Sequence, residues 1–263
     1  MNSSLYSVPQ IPLSSASLKE RLKGLARELL EKDPLKMERT ARRVRVLYDN
    51  VYLADSTSAY HVWEHEYYPQ FYFRTSELQV NHVSREPIGN DDAVSFVTYK
   101  GLTRSDGTAL MFTKGKLAGL TRFEFGQMDA WFEEDQPIYQ HPKDPYKRID
   151  ILPSTRTITV KLKNVVIAES TMNMFLFETM LKTRHYMPKT AVNWQYMKPS
   201  LKTTICPYKG VAEYYNLRID GLEIKDAAWW YRNPTRESAL IEGMICFYDE
   251  KVDVYIDGVK DKA

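Results

Sequence analysis

Residues 44–54 read Val-Arg-Val-Leu-Tyr-Asp-Asn-Val-Tyr-Leu-Ala, and residues 158–168 read Ile-Thr-Val-Lys-Leu-Lys-Asn-Val-Val-Ile-Ala. In each stretch, two apolar-rich runs flank a two-residue centre that ends in Asn. Asn and Asp tolerate the left-handed backbone conformation that tight hairpin turns require. Each stretch therefore predicts a β-hairpin, and the two hairpins are related by an offset of 114 residues.

Further matches follow in the same order in the two halves of the chain. At the offset of 114, Glu64 corresponds to Glu178 and Tyr72 to Tyr186. The offset then drops to 109, where Tyr99-Lys100-Gly101 corresponds to Tyr208-Lys209-Gly210. The remaining matches are the aromatic runs Trp131-Phe132 and Trp229-Trp230-Tyr231, and the alternating final strands Lys147–Ile151 and Lys251–Tyr255. This order predicts a tandem duplication of a domain of about 105 residues.

The pattern predicts a mainly β fold: two similar antiparallel β domains in tandem, a few short helices and an N-terminal amphipathic helix. The predicted parts are an N-terminal arm and helix over 1–41, a first β domain over 42–153 and a second over 154–263. An Asp-Gly pair within Arg218–Ile224 predicts a further hairpin. Short helices are expected at 57–66, 171–181 and 237–244.

The N-terminal helix follows from leucine spacing. The arm from Met1 to Ala16 is rich in Ser and Pro, and Ser17 then opens a Ser-x-x-Glu capping box. Asp33-Pro34 ends the helix, because proline disfavours helical geometry in the residue before it. The residues at helical spacing are Leu18, Leu22, Leu25 and Leu29. They predict an apolar face that packs on the β body; binding to a partner helix or a membrane is the alternative.

Composition narrows the class of protein. The 263 residues carry a formal net charge of +2. Most proteins that bind nucleic acids or membrane surfaces carry a larger excess of positive charge. Two cysteines, Cys206 and Cys246, exclude a disulfide scaffold and match no zinc-ligand spacing. The apolar runs are far shorter than the ~20 residues of a membrane span. We therefore expect a reduced, cytoplasmic protein without nucleic-acid or membrane partners, and a homodimer is left open.

Five blocks of sequence carry a resemblance to a known family. The blocks are Trp131–Asp135, His141–Asp150, Cys206–Gly210, Asp226–Tyr231 and Phe247–Gly258. They resemble the signature blocks of the family catalogued as domain of unknown function 427, over about residues 42–258. The resemblance implies a tandem two-domain member in which each copy is a compact β domain. The first-half counterpart, Val97–Gly101, lacks the Cys and Pro of Cys206–Gly210, so only the second half retains the full block.

The same family has been labelled nucleotidyltransferase-like. The sequence argues against that activity, because it has neither a Gly-Ser pair followed by spaced aspartates nor a Gly-rich loop that could bind phosphate. We predict no cofactor and no metal site.

Polar candidates for chemistry are few. Lys209, Tyr208 and Glu178 are the predicted catalytic residues, because a lysine after a tyrosine recurs in both halves and could meet the carboxylate of Glu178 or Glu64. The alternative is a structural ion pair. Cys206 is either a nucleophile or a buried, pocket-lining cysteine. The predicted substrate-binding residues are Cys206, Trp229, Trp230, Trp131, Tyr186, Tyr99, Lys100, Glu64 and His141.

Aromatic side chains make up 13% of the chain. Many of them fill cores, but their number favours an aromatic-lined apolar cavity with a few polar groups. Such a cavity suits a cofactor-independent enzyme acting on a largely apolar metabolite: an isomerase, a cyclase or a pericyclase such as a Diels-Alderase, as in natural-product biosynthesis. The alternative is a non-catalytic ligand-binding or protein-interaction module. For His141, a hydrogen-bonded position in a loop is favoured over metal ligation.

Overall fold

The computed structural model describes residues 15–89 and 92–261, and most of the predicted N-terminal arm lies outside them. The described residues form two compact units, one through Asp144 and one from Pro145 onward. The sequence pattern places this division near Pro153 and Ser154 instead. The fold is mainly β in both units, as predicted.

Helix α1 spans Ser15–Lys32 and starts two residues before the predicted cap at Ser17. It ends where predicted, because Asp33 adopts a left-handed backbone conformation with φ of 59° before Pro34. Leu18, Leu22 and Leu29 are buried against the seven-stranded sheet of the first unit. The predicted apolar face of this helix therefore packs on the β body.

The first unit contains eleven strands within its described residues. They are β1 (Lys36–Arg39), β2 (Val44–Tyr48), β3 (Val51–Ser56), β4 (Tyr60–Trp63), β5 (Gln70–Arg74), β6 (Ser84–Pro87), β7 (Val94–Tyr99), β8 (Gly107–Phe112), β9 (Leu120–Phe123), β10 (Ala130–Glu133) and β11 (Gln136–Ile138). Seven strands form an antiparallel sheet in the order β1-β4-β5-β9-β8-β7-β6, and four form a second sheet in the order β11-β10-β2-β3.

The second unit repeats this topology strand for strand. Its strands are β12 (Ile149–Ser154), β13 (Ile158–Leu162), β14 (Val165–Ser170), β15 (Asn173–Glu178), β16 (Arg184–Met187), β17 (Met197–Cys206), β18 (Gly210–Ile219), β19 (Leu222–Pro234), β20 (Ile245–Phe247), β21 (Asp253–Ile256) and β22 (Val259–Lys260). The sheet orders are β12-β15-β16-β20-β19-β18-β17 and β14-β13-β21-β22. The predicted duplication is therefore present in the fold.

The two hairpins at residues 44–54 and 158–168 have the same geometry. Asp49 and Asn50 have φ of 45° and 61°, and Lys163 and Asn164 have φ of 49° and 65°. These left-handed pairs are the turn conformation predicted from Asn and Asp. Each hairpin also shifts register at the corresponding place, after Val46 in the first unit and after Val160 in the second.

Strand pairing corrects the downstream part of the predicted alignment. The offset of 114 extends back to β1, because β1 and β12 occupy the same edge position and pair with β4 and β15. Lys147–Ile151 therefore overlaps the first strand of the second unit, and its match to Lys251–Tyr255 is wrong. Trp131 lies in β10, whose counterpart is β21, so its match to Trp229 in β19 is also wrong.

Two of the short predicted helices are strands. The segments 57–66 and 171–181 contain β4 and β15. Most residues of these strands are buried, so they lack the alternation that marks a strand, and the apparent helical spacing is fortuitous. The third prediction is close, because a 3-10 segment spans Arg236–Ile241. Elsewhere in the described part of the chain, 3-10 segments span Thr75–Glu77, Phe125–Gln127, Lys189–Ala191 and Trp194–Tyr196.

Each seven-stranded sheet buries apolar residues on both faces. One face packs on the four-stranded sheet of the same unit, which forms the inter-sheet core. We call the opposite face the outer face. In the first unit α1 covers the outer face, whereas the described residues of the second unit contain no α-helix. The second outer face instead carries an aromatic cluster that includes Tyr186, Trp229 and Tyr231. No helix among the described residues is long and apolar enough to cross a membrane.

Candidate functional site

Lys209 and Glu178 form an ion pair in the second unit, as the sequence predicts for one of the two halves. Glu178 is the last residue of β15, and Lys209 lies in the turn between β17 and β18. Only 13% of the Lys209 side chain and 7% of the Glu178 side chain are exposed. The fold thus brings together two nearly buried charges that lie 31 residues apart in sequence.

Cys206 stands beside this pair. Burial disfavours the ammonium of Lys209, but attraction to Cys206 and Glu178 outweighs burial, so the pKa of Lys209 rises above its usual 10.5. Lys209 is therefore a cation at neutral pH. Cys206 ends β17 and is partly exposed, whereas the other cysteine, Cys246, is buried and has a pKa that burial raises to about 12.

Two buried tyrosines complete the arrangement. Burial raises the pKa of Tyr186 and of Tyr231 well above 10, and the negative charge of Glu178 raises both further. Their hydroxyl groups therefore keep their protons at neutral pH and serve as hydrogen-bond donors. We call Glu178, Cys206, Lys209, Tyr186 and Tyr231 the Lys209 cluster.

Trp229 forms part of the wall around the cluster. Its indole nitrogen donates to the Tyr186 hydroxyl over 3.0 Å, and the two rings meet edge to face. Because the Tyr186 oxygen accepts this bond, its own proton is directed elsewhere. Trp230, the next residue of β19, points to the opposite face and packs against the inter-sheet core. The two tryptophans therefore do not line one cavity.

Tyr208 holds the turn that presents Lys209. Its side chain is buried, and its backbone carbonyl accepts hydrogen bonds from the hydroxyl groups of Thr235 and Ser238. Gly210 follows with φ of 99°, and a Cβ there would lie 3.1 Å from the backbone oxygen of Asn233. The backbone conformation after Lys209 therefore requires a glycine at position 210.

The first unit places a different cation on the corresponding carboxylate. Glu64 binds Arg122 over 2.6 Å and accepts a hydrogen bond from the Tyr72 hydroxyl over 2.8 Å. Arg122 also pairs with Glu124 at 2.6 Å. The repeat gives no signal for Arg122, because its strand position corresponds to the uncharged Cys246 of the second unit.

The predicted pairing of Lys100 with Glu64 is wrong. Lys100 is exposed and follows β7, whereas Lys209 precedes β18, the counterpart of β7. The two lysines therefore lie at opposite ends of equivalent strands. The short Tyr-Lys-Gly match carried no information about strand order.

Three further predicted site residues lie in the first unit. Trp131 is buried in the inter-sheet core, where it stacks on Phe125 and donates to its backbone carbonyl. Tyr99 is buried in the same core, and burial raises its pKa to about 12. His141 is buried, stacks on Tyr68 at 3.7 Å between ring centroids, and its Nδ1 lies 2.7 Å from the backbone oxygen of Pro142.

A small concavity of about 10 Å³, room for roughly one water molecule, lies in the second unit at one end of its inter-sheet core. It is lined by Ile158, Val160, Thr183, Arg184, His185, Met187, Phe247, Asp249 and Val254. None of the predicted site residues belongs to this lining. Within residues 15–89 and 92–261, no group of three or more His, Cys, Asp and Glu side chains is placed to hold a metal ion.

Comparison with protein families agrees with the repeat. The model of the domain of unknown function DUF427 matches residues 36–105 and 150–258. These two segments begin at β1 and at β12, where the strand pairing begins each repeat. No curated protein matches the sequence. The chain belongs to the DUF427 family and carries one match to the domain in each half.

Proposed function

We propose that the second unit is a cofactor-independent enzyme, an isomerase or cyclase that acts on a largely apolar metabolite at the Lys209 cluster. One observation carries this proposal. A carboxylate, an ammonium, a thiol and two protonated phenols converge on the outer face of one sheet, at a place where most neighbouring side chains are aromatic or aliphatic.

The residues divide into complementary roles. Glu178 is the group that accepts and returns a proton, and the Lys209 ammonium offsets its charge. The hydroxyl groups of Tyr186 and Tyr231 donate to a substrate oxygen on which charge builds up. Trp229 and its aromatic neighbours contact the apolar body of the substrate and hold it in a reactive conformation. None of these steps needs an external electron acceptor or a nucleotide.

Comparison between the units supports a chemical role over a structural one. In the first unit the Tyr72 hydroxyl donates a hydrogen bond to Glu64, so this phenol and this carboxylate are hydrogen-bonded to each other. In the second unit Tyr186 accepts from Trp229, which leaves its proton for another acceptor. Stability alone does not account for a buried ion pair, because apolar replacements of similar volume are often neutral or stabilising.

The experiment compares Glu178→Gln with Glu64→Gln. The protein is incubated with a library of apolar carbonyl-containing metabolites, and each compound is followed by liquid chromatography and mass spectrometry. We expect at least one compound to be isomerised or cyclised by the wild type and by Glu64→Gln, and its rate of conversion to be at least about a hundredfold lower with Glu178→Gln. A substrate turned over equally by both variants would contradict the role of Glu178.

A second candidate is the non-catalytic ligand-binding or interaction module. The observation that favours it is the open concavity beside Arg184 and His185, which is shallow and lies apart from the Lys209 cluster. A recognition module needs only such an open surface. Under this alternative, a compound from the same library binds beside Arg184 and His185 and is recovered unchanged.

A further inference from the structure

Aromatic and charged side chains form a surface on the second unit, which we call the Lys189 surface. Its members are Lys189, Trp194, Glu213, Tyr215, Trp230 and Arg232. The ammonium of Lys189 lies over the ring of Trp230 and 5.5 Å from the ring centre of Tyr215. The indole nitrogen of Trp194 donates to the backbone carbonyl of Lys189 over 2.8 Å, and its ring meets that of Tyr215 edge to face.

The first unit has none of these rings and charges at the equivalent positions. The offset of 114 and the strand pairing give the matches, because 3-10 segments begin at Thr75 and at Lys189 and the sheets have the same order. The second unit has Lys189, Trp194, Glu213, Tyr215 and Trp230 where the first has Thr75, Val80, Ser95, Val97 and Met111. The same fold therefore forms without the Lys189 surface.

The strands that carry this surface are also longer in the second unit. β17, β18 and β19 have 10, 10 and 13 residues, against 4, 6 and 6 for their counterparts β6, β7 and β8. Val211 is 47% exposed and lies two residues before Glu213 in β18, so strand alternation places it on the same face. Trp194 is 39% exposed. Apolar area on a sheet face suits a protein partner, whereas small molecules bind in concave pockets.

The charges of the Lys189 surface do not cancel. Glu213 accepts hydrogen bonds from the guanidinium of Arg232 over 3.0 and 3.2 Å, so these two side chains neutralise each other. Lys189 lies over ring faces, which stabilise its ammonium, and within residues 15–89 and 92–261 no salt bridge involves it. The surface thus has one cation without a matching carboxylate, and it complements a negatively charged partner.

We propose that the Lys189 surface binds an acidic segment of another protein. A carboxylate of the partner pairs with the Lys189 ammonium, and an apolar side chain beside that carboxylate packs on Trp194 and Tyr215. Tryptophan, tyrosine and arginine most often carry the binding energy of protein interfaces, and the surface contains all three. The charges disfavour a nucleic acid, because Lys189 and Arg232 are few cations for a phosphate backbone and Glu213 repels it.

The test uses two synthetic peptides and protein in which 5-fluorotryptophan replaces all five tryptophans. The acidic peptide is acetyl-Gly-Glu-Phe-Glu-Gly-amide, and the neutral peptide has Gln in place of both Glu. In fluorine-19 NMR at pH 7, the acidic peptide should shift the signals of Trp194 and Trp230 and leave those of Trp63 and Trp131 in place. Trp194→Phe and Trp230→Phe assign the two signals. We expect the neutral peptide to bind at least about threefold more weakly.

Two variants change the charge of the surface in opposite directions. Lys189→Gln removes the unmatched cation and should weaken binding of the acidic peptide about two- to fivefold. Glu213→Gln removes the competing carboxylate and should strengthen binding by a similar factor. Lys100→Gln, at an exposed lysine of the first unit, is the control for net charge and should leave the affinity unchanged.

Three results would overturn the proposal. The first is that the acidic peptide, at concentrations up to about 1 mM, leaves the Trp194 signal in place. The second is equal binding of the acidic and neutral peptides, which needs no variant and so stands even if Lys189→Gln does not fold. The third is tighter binding of an oligothymidylate than of the acidic peptide, which would assign the surface to nucleic acid.

Discussion

A cross-strand pair of one histidine and one phenylalanine occurs in both units with the two residues exchanged. His61 in β4 faces Phe71 in β5, and Phe175 in β15 faces His185 in β16. The ring centroids lie 4.9 Å apart in the first pair and 4.5 Å apart in the second. Because each repeat accepts Phe where the other has His, His61→Phe and His185→Phe are substitutions for which the fold already provides a template.

Both histidines are held neutral in the folded chain. Burial is the main cause that lowers the pKa of His61 and of His185 from 6.5 to about 4. Nε2 of His61 is buried without a hydrogen-bond partner in the described part of the chain. The unfolded imidazole binds a proton below pH 6.5 and the folded one only near pH 4, so stability is full above pH 6.5 and is lost as the pH falls.

The magnitude follows from the shift. At about 1.4 kcal/mol per pH unit, each histidine costs roughly 2–3 kcal/mol of unfolding free energy between pH 6.5 and 4.5. Most carboxylates titrate below this pH range, so the loss of unfolding free energy within it comes mainly from the histidines. We expect His61→Phe to remove this loss from the first unit and His185→Phe to remove it from the second.

The assay is hydrogen exchange at several urea concentrations, read by peptide mass spectrometry so that each unit reports separately. His82→Phe is the control, because the His82 side chain is exposed and its imidazole stays in water in both states. If the first unit of the His61→Phe variant still loses roughly 2–3 kcal/mol of unfolding free energy between pH 6.5 and 4.5, His61 is not the cause of that loss.

Three further outcomes are expected. Lys209→Met should cost about 3–5 kcal/mol because it leaves Glu178 buried and unpaired, and the double variant with Glu178→Leu should recover most of this loss in urea denaturation; recovery of none of it would show that the pair does not act as a unit. Gly210→Ala should cost about 1–3 kcal/mol, since its φ of 99° is strained for a residue with a Cβ, and a melting temperature within a degree of the wild type would contradict this. Iodoacetamide at pH 7.5 should alkylate Cys206 and leave buried Cys246 unmodified, as peptide mapping can check; equal labelling would mean that Cys246 is not enclosed.

The hairpins were predictable because their signal is local. Asp49-Asn50 and Lys163-Asn164 specify the turn and its register within two residues, and Asp220-Gly221 does the same between β18 and β19. The β4 strand could not be predicted in this way, because Tyr60–Trp63 is largely buried and its residues do not alternate between apolar and polar.

The site was only half predictable. The pair of Glu178 with Lys209 could be anticipated from residue types, because a buried carboxylate needs a cation. The cation that pairs with Glu64 could not be anticipated. Arg122 lies beside Glu64 because of the order of the strands in the sheet, and no local sequence motif indicates this contact. The repeat thus places a carboxylate at the same position in both units, Glu64 and Glu178. The cation that pairs with it comes from a different part of each unit.

We propose that the second unit binds its ligand at the Lys209 cluster. The most direct measurement is a crystal structure of the protein after incubation with the compound that it turns over or that co-purifies with it. We expect ligand density on the outer face of the seven-stranded sheet of the second unit, with a ligand oxygen within hydrogen-bond distance of the Tyr186 or Tyr231 hydroxyl. Density at the concavity beside Arg184 instead, with the Glu178–Lys209 pair unoccupied, would contradict this proposal.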